Sequence, residues 1–179
     1  RFFKNVMTGY QLAEKGINIE LTMRLSRDLI DMTSEESLHL SIATVPPDYC
    51  GGERLESRKL CWVAAPDFDW RMPERIPLAL HPTRCMYREL ILSVLQASGT
   101  NFRIAFSAEG SMSVHAAVAS GMGLTVIAEG MIPPELVVVP DEWGLPDLGS
   151  IDVRLFKNKN LTPMQLELAD LLTLAFSAA

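Results

Sequence analysis

A chain of 179 residues and 19.8 kDa that is 48% hydrophobic and 21% charged has enough apolar sequence to bury a core, and too much to be a disordered segment. With 16 Lys and Arg against 22 Asp and Glu the formal charge is -6, so the chain is a poor ligand for nucleic-acid phosphates. No apolar stretch reaches the roughly 18 residues of a membrane span; Leu168–Ala179 comes nearest and is interrupted by Asp170, Thr173 and Ser177. Arg1-Phe2-Phe3-Lys4 does not open a signal peptide, because no uninterrupted apolar core follows. The absence of an initiator Met leads us to expect a fragment. Cys50, Cys61 and Cys85 are odd in number and widely spaced, which suits a reducing cytoplasm better than a disulfide framework.

There are no internal repeats or low-complexity tracts. Phe2, Phe3, Val6, Met7, Tyr10 and Ala13 recur at helical spacing, which predicts an amphipathic helix over residues 1–15, stopped by Gly16. Ile17, Ile19, Leu21 and Met23 alternate with polar residues as in a strand. Ser26 is a candidate N-cap for a short helix to about Thr33. Leu38–Val45 alternates again and ends at Pro46-Pro47. A loop holding Cys50-Gly51-Gly52 leads into an extended return over 54–66. A break at Pro66–Pro77 carries three Pro, two Asp and two Arg. Beyond it come a short buried strand (Leu78–Leu80), a helix closed by Gly99, a strand (Phe102–Ser107) and a helix for which Ser111 is the expected cap. An apolar strand (Leu124–Ala128) and two weaker ones (Leu136–Val139, Ile151–Phe156) follow. Thr162-Pro163-Met164-Gln165 combines an N-cap, an N1 proline and a capping-box Gln, with Met164, Leu168, Leu171, Leu172 and Ala175 as the buried stripe behind it. Alternating strands and helices imply parallel sheets covered by helices, in two similar blocks divided near residue 70. Ligands of open α/β sheets sit at the carboxyl ends of strands, near helix starts.

Five segments in this order resemble the effector-binding domain of LysR-type transcriptional regulators. They are Ser26-Arg27-Asp28-Leu29; Leu38–Thr44, with His39 where the family usually has Asp; Leu60–Phe68; Val114–Val126; and Thr162-Pro163 with the Leu-rich helix behind it. The resemblance covers nearly the whole chain. It implies an α/β fold of two Rossmann-like lobes, periplasmic-binding-protein-like (type II), with a ligand cleft between the lobes. The expected parts are lobe I over 1–75, lacking its first strand, lobe II over 76–157, and a C-terminal helix over 158–179 returning to lobe I. It also implies a cytoplasmic regulator that meets DNA only through an absent N-terminal winged helix-turn-helix. The family's side-by-side dimer, or a higher homo-oligomer, would use residues 1–15 and 86–98.

Ser26, Thr83 and Ser111 stand before predicted helices, whose unpaired N–H groups suit an anion; each hydroxyl could equally just cap its own helix. The expected small-molecule effector contacts are Ser26, Thr44, Thr83, Arg84, Ala108, Glu109, Ser111, Ile127 and Ala128. The resemblance favours Ser26 and the turn Ala108–Ser111 in particular. Glu109 beside a helix start favours an amine or neutral polar effector, or is simply solvated; Arg84 argues for an anion. Cys85 lies near Arg84 and Arg88 at a helix start, which would favour a thiolate. With no resolving Cys in that helix, redox sensing yields to the reading of a half-buried thiol. His39, His81 and His115 have no ligand spacing, so no metal or other cofactor is expected. Gly121-Met122-Gly123 ends a helix and is no dinucleotide loop. Gly110–Ser113 lacks the last Gly of a nucleophile elbow, and Asp141-Glu142 reads as solvated. Two other functions fit the fold: a solute-uptake binding protein, which a secretory signal would mark, and a small α/β enzyme, which nothing here requires.

Overall fold

The computed structural model describes residues 18–69 and 74–177. In chain order its elements are α1 (Ser26–Ser34), β1 (Leu40–Val45), β2 (Glu53–Ala64), β3 (Ile76–Leu80), α2 (Met86–Ala97), β4 (Phe102–Ser107), α3 (Ser111–Ala119), β5 (Thr125–Ala128), β6 (Val137–Val138), a 3-10 turn (Asp141–Trp143), β7 (Ser150–Lys157) and α4 (Pro163–Ser177). They fall into two compact units. Unit 1 takes the described residues up to Ser57 and from Asp152 onward; unit 2 is Arg58–Ile151. The chain therefore changes unit inside β2 and near the start of β7, whereas the sequence reading divides it after residue 75. The described residues of the Pro-rich break belong to unit 2, and its last two, Ile76 and Pro77, already start β3; proline can interrupt a strand, but only packing decides which core the strand joins. Along β2 the polar first half is largely exposed and Leu60, Trp62, Val63 and Ala64 are buried.

In unit 1, β1 and β7 pair antiparallel, from Leu40 opposite Lys157 to Val45 opposite Asp152. Alternation sends Ser41, Ala43 and Val45 into buried positions, while Leu40 and Ile42 pack on a cluster of Leu155, Ala169 and Leu172. The Thr33 hydroxyl donates to the Leu29 carbonyl at 2.8 Å and is bonded to the Ser41 hydroxyl at 2.7 Å, so this buried polar pair between α1 and β1 is satisfied. The capping box of α4 forms as expected: Gln165 Oε1 accepts the Thr162 amide at 2.8 Å, and Thr162 Oγ1 accepts the Gln165 amide at 3.4 Å. The buried stripe is shifted, with Ala169 at its centre and Met164 43% exposed. The helix expected over 1–15 lies outside the described residues. The strand expected over 17–23 is not found: residues 18–25 are irregular, and Leu21 and Met23 are exposed. Alternation marks a strand only where a neighbour takes its backbone hydrogen bonds, and none does so here among the described residues.

The end of α1 carries local strain. The amides of Glu36 and Ser37 donate back to the carbonyls of Thr33 and Met32, a motif that puts Glu36 at φ 62°, where glycine is usual. Glu36→Gly is expected to raise unit 1 stability by about 0.5–1 kcal/mol, the relief of the left-handed penalty less the Glu36–Asn160 hydrogen bond. Chemical denaturation of the two proteins checks this.

In unit 2, β3 and β4 run parallel, and Leu124 bridges to Leu78 in parallel. β2 pairs antiparallel with β5 and with β6. The expectation of parallel sheets thus holds for the β–α–β segment β3–α2–β4. It fails for β1–β7, β2–β5 and β2–β6, because strands that return from distant parts of the chain are not bound to the parallel handing of a βαβ unit. The core joins Val63, Ala79, Val114, Ala117, Val118, Ile127 and Leu136. α2 and α3 both end as their glycines predict, with Gly99 at φ 67° and Gly121 at φ 75°.

Candidate functional site

In unit 1 the structure brings Ser26 and Thr44 together. Ser26 Oγ accepts the Thr44 amide at 3.1 Å and shares a hydrogen bond with the Thr44 hydroxyl at 3.0 Å. Ser26 is therefore not the expected N-cap. Leu25 holds that position without a side-chain cap, and Ser26 begins the helix. Its hydroxyl ties the start of α1 to the carboxyl end of β1, because a strand-end amide 18 residues away is in reach and takes the acceptor. Ser26→Ala leaves the part-buried Thr44 amide without that acceptor. It is expected to cost about 1 kcal/mol of stability, read as a lower thermal midpoint.

In unit 2 the expected residues divide. Ala108 follows β4, donates its amide to the Leu80 carbonyl at 3.3 Å and is half-buried on the core. Glu109 is exposed. Gly110, not Ser111, is the N-cap of α3; Ser111 is the first helical residue, exposed, and its hydroxyl caps nothing. The helix start keeps amide groups without intrahelical partners. Thr83 and Arg84 are exposed in a turn and do not open α2, which begins at Met86 after its N-cap Cys85. Ile127 and Ala128 are only 7% and 2% exposed. Ile127 packs in the core cluster with Val63, Ala79 and Val118. A continuous apolar strand reads equally as cleft wall or core, and all four residues of β5 are buried.

Cys85 also departs from its expected chemistry. It is buried, and burial pushes its thiol above the usual range, outweighing backbone hydrogen bonds from Arg88 and Tyr87 that act the other way. Arg88 is drawn elsewhere: its Nη1 donates to the His81 carbonyl at 2.8 Å.

His81, dismissed above as a metal ligand, stands just past the carboxyl end of β3 and bonds through Nδ1 to the Glu109 carbonyl at 3.2 Å. Since a carbonyl only accepts, Nδ1 carries the proton, and Nε2 is an acceptor in the neutral ring and a donor in the charged one. The sequence signal for this residue was its place directly after a buried strand. On α3, burial holds the His115 pKa below its ordinary 6.5; Glu135 opposes the shift and His81 adds to it. The folded His115 thus binds fewer protons than the unfolded one, so stability is lost as pH falls below about 6.5. Thermal midpoints against pH should fall less steeply on the acid side for His115→Gln.

Among the described residues no cluster of His, Cys, Asp and Glu could hold a metal ion, and no helix is long and apolar enough to cross a membrane. The chain matches the family model described as LysR substrate binding domain over residues 1–173. It is 29% identical over 142 residues to the HTH-type transcriptional regulator PecT of Dickeya dadantii (strain 3937), a match covering 79% of this chain and 45% of PecT. The chain spans about half the length of the curated relatives it matches. Among solved structures, the regulatory domain of HypT from Salmonella typhimurium matches with a TM-score of 0.75 at 14% identity, covering 99% of this chain and 90% of that one. The CcmR regulatory domain of Synechocystis PCC6803, solved in complex with 2-PG, matches with a TM-score of 0.74 at 14% identity, covering 98% and 91%. The shared fold is type II periplasmic-binding-protein-like.

Proposed function

Because the chain belongs to the LysR substrate binding domain family, we propose that it is the effector-sensing part of a bacterial transcription regulator that meets DNA through a winged helix-turn-helix outside this sequence. The observation that carries this reading is the family match across residues 1–173, joined to a relative that is a helix-turn-helix regulator of about twice the length. The charge of -6 fits it: the phosphate contacts belong to the other part of the protein. The chain's task is binding, not catalysis. A small-molecule effector shifts a conformational equilibrium by binding one state better than another.

Each unit has its own proposed polar contacts: Ser26 and Thr44 within unit 1, and Thr83, Arg84, the turn Ala108–Ser111 and His81 within unit 2. The uncommitted Ser111 hydroxyl and the helix-start amides behind it support a polar or anionic group on the effector. The regulator is a cytoplasmic homodimer or larger homo-oligomer. A monomer by light scattering at high concentration argues against that part.

A thermal-shift screen against a metabolite panel, small hydroxylated acids and amines included, tests the reading, since a ligand that binds only the folded chain raises its midpoint. The expected result is a shift by one class of compound that Ser111→Ala reduces. Turnover of a panel compound, or a coding sequence before Arg1 without a helix-turn-helix, overturns it.

A further inference from the structure

One arginine on β7 holds an entire loop of unit 1. Arg154 Nη1 donates to the carbonyls of Tyr49 at 2.7 Å and Gly51 at 3.0 Å. Nη2 donates to the Pro47 carbonyl at 2.9 Å and to Asp152 Oδ2 at 2.8 Å, and Nε reaches the same Oδ2 at 3.3 Å. A guanidinium has five N–H groups, and here each has an acceptor. Asp152, two residues earlier on the same face of the strand, is 1% exposed and orients the group. Phe156, two residues later, completes the seat. The Tyr49 ring meets it edge-on at 6.1 Å, and a Cβ on Gly52 would stand 2.8 Å from it.

The seat also has a built-in weakness. Asp152 Oδ1 is buried and has no hydrogen-bond partner among the described residues. An unpaired buried carboxylate oxygen raises the free energy of the closed arrangement, and water reaching it on opening lowers that cost. The loop lies directly after Val45, whose strand partner is Asp152, and directly before β2, in which the chain leaves for unit 2; β7 is where it returns.

We propose that Arg154, held by Asp152, is a latch that pins the loop Pro46–Gly52 to β7, and that this loop opens as one segment while the strands around it stay folded. The latch fastens the segment before one passage of the chain to the strand that ends the other. It is a conformational device of unit 1 that does not depend on what the effector is.

Chymotryptic cleavage after Tyr49, followed by mass spectrometry on the whole chain, tests the proposal. Arg154→Met keeps the apolar stem and removes all five donors; Arg154→Lys keeps the charge for Asp152 but cannot span three carbonyls. Both variants are expected to be cut there about tenfold or more faster, with helix and strand content unchanged. In the parent protein the amides of 48–52 are expected to exchange with deuterium together and before those of β1 and β7. Unchanged cleavage in the folded variants overturns the proposal. So does faster cleavage matched by equal loss of amide protection in β1 and β7. If Arg154→Met does not fold, Arg154→Lys and the parent exchange pattern decide.

Discussion

Gly123→Ala is expected to be the most damaging Gly→Ala change among the described glycines. A Cβ at Gly123 would lie 2.5 Å from the Pro77 carbonyl oxygen and 2.8 Å from its carbon, and the residue's φ of 156° disfavours side chains in any case. The obstacle is backbone, so no rotamer change relieves it. The same carbonyl accepts the Leu124 amide at 2.9 Å, and the Leu124 carbonyl accepts the Ala79 amide at 2.8 Å. Pushing Pro77 away therefore breaks the bridge that joins the start of β5 to β3, at the fully buried Leu78 and Leu124. The cost is about 3 kcal/mol or more, of the order of a core rupture. Thermal unfolding read through near-ultraviolet dichroism should show a loss of well over 10 °C or no folded protein. Gly99→Ala is the control: Gly99 also has a positive φ, 67°, but nothing lies within 4 Å of its Cβ position. Its smaller loss, about 1 kcal/mol, is the conformational penalty alone.

Leu155→Ala is the corresponding test of unit 1. Leu155 is 1% exposed on β7 and packs with Ala169 and Leu172 of α4, with Leu40, Ile42 and Leu55 around them. Two of its neighbours in that cluster are reached only because α4 lies across the strands, and the small Ala169 cannot fill the space left behind. The expected loss is about 2–5 kcal/mol, set by how far the site collapses. Urea unfolding should show a lower midpoint with an unchanged slope. Leu155→Met, which conserves volume, should cost under about 1.5 kcal/mol. A loss of the same size for Met as for Ala would mean that shape, not cavity volume, governs this core.

Much of the fold was legible because its signals are local. The capping box at Thr162–Gln165, the glycines that stop α2 and α3, and the alternation of β1 each depend on residues a few positions apart. The candidate site was less legible for the opposite reason. Ser26 and Ser111 have the residue type of an N-cap, yet in neither does the hydroxyl cap its helix. The Ser26 hydroxyl found a strand amide instead, which no capping preference reveals. Cys85 has the charged neighbours of a reactive thiol, but Arg88 turns to the His81 carbonyl and burial governs the sulfur. The Asp152–Arg154 pair does show in the sequence, as two opposite charges at alternate positions within the otherwise apolar stretch Ile151–Phe156. Its partners at Pro47, Tyr49 and Gly51 lie 103–107 residues away and contribute backbone carbonyls, which every residue has.

The sequence by itself determined the family, the order of helices and strands from Ser26 onward and the places where α2 and α3 stop, because periodicity, caps and glycines act over one or two turns of chain. Only the tertiary structure decided where one unit gives way to the other, which polar groups are already satisfied and which thiol is buried. Those outcomes depend on what lies across the fold from each residue. A hydroxyl, a carboxylate or a thiol takes its role from the nearest partner and from the water it loses, and neither is written at its own position.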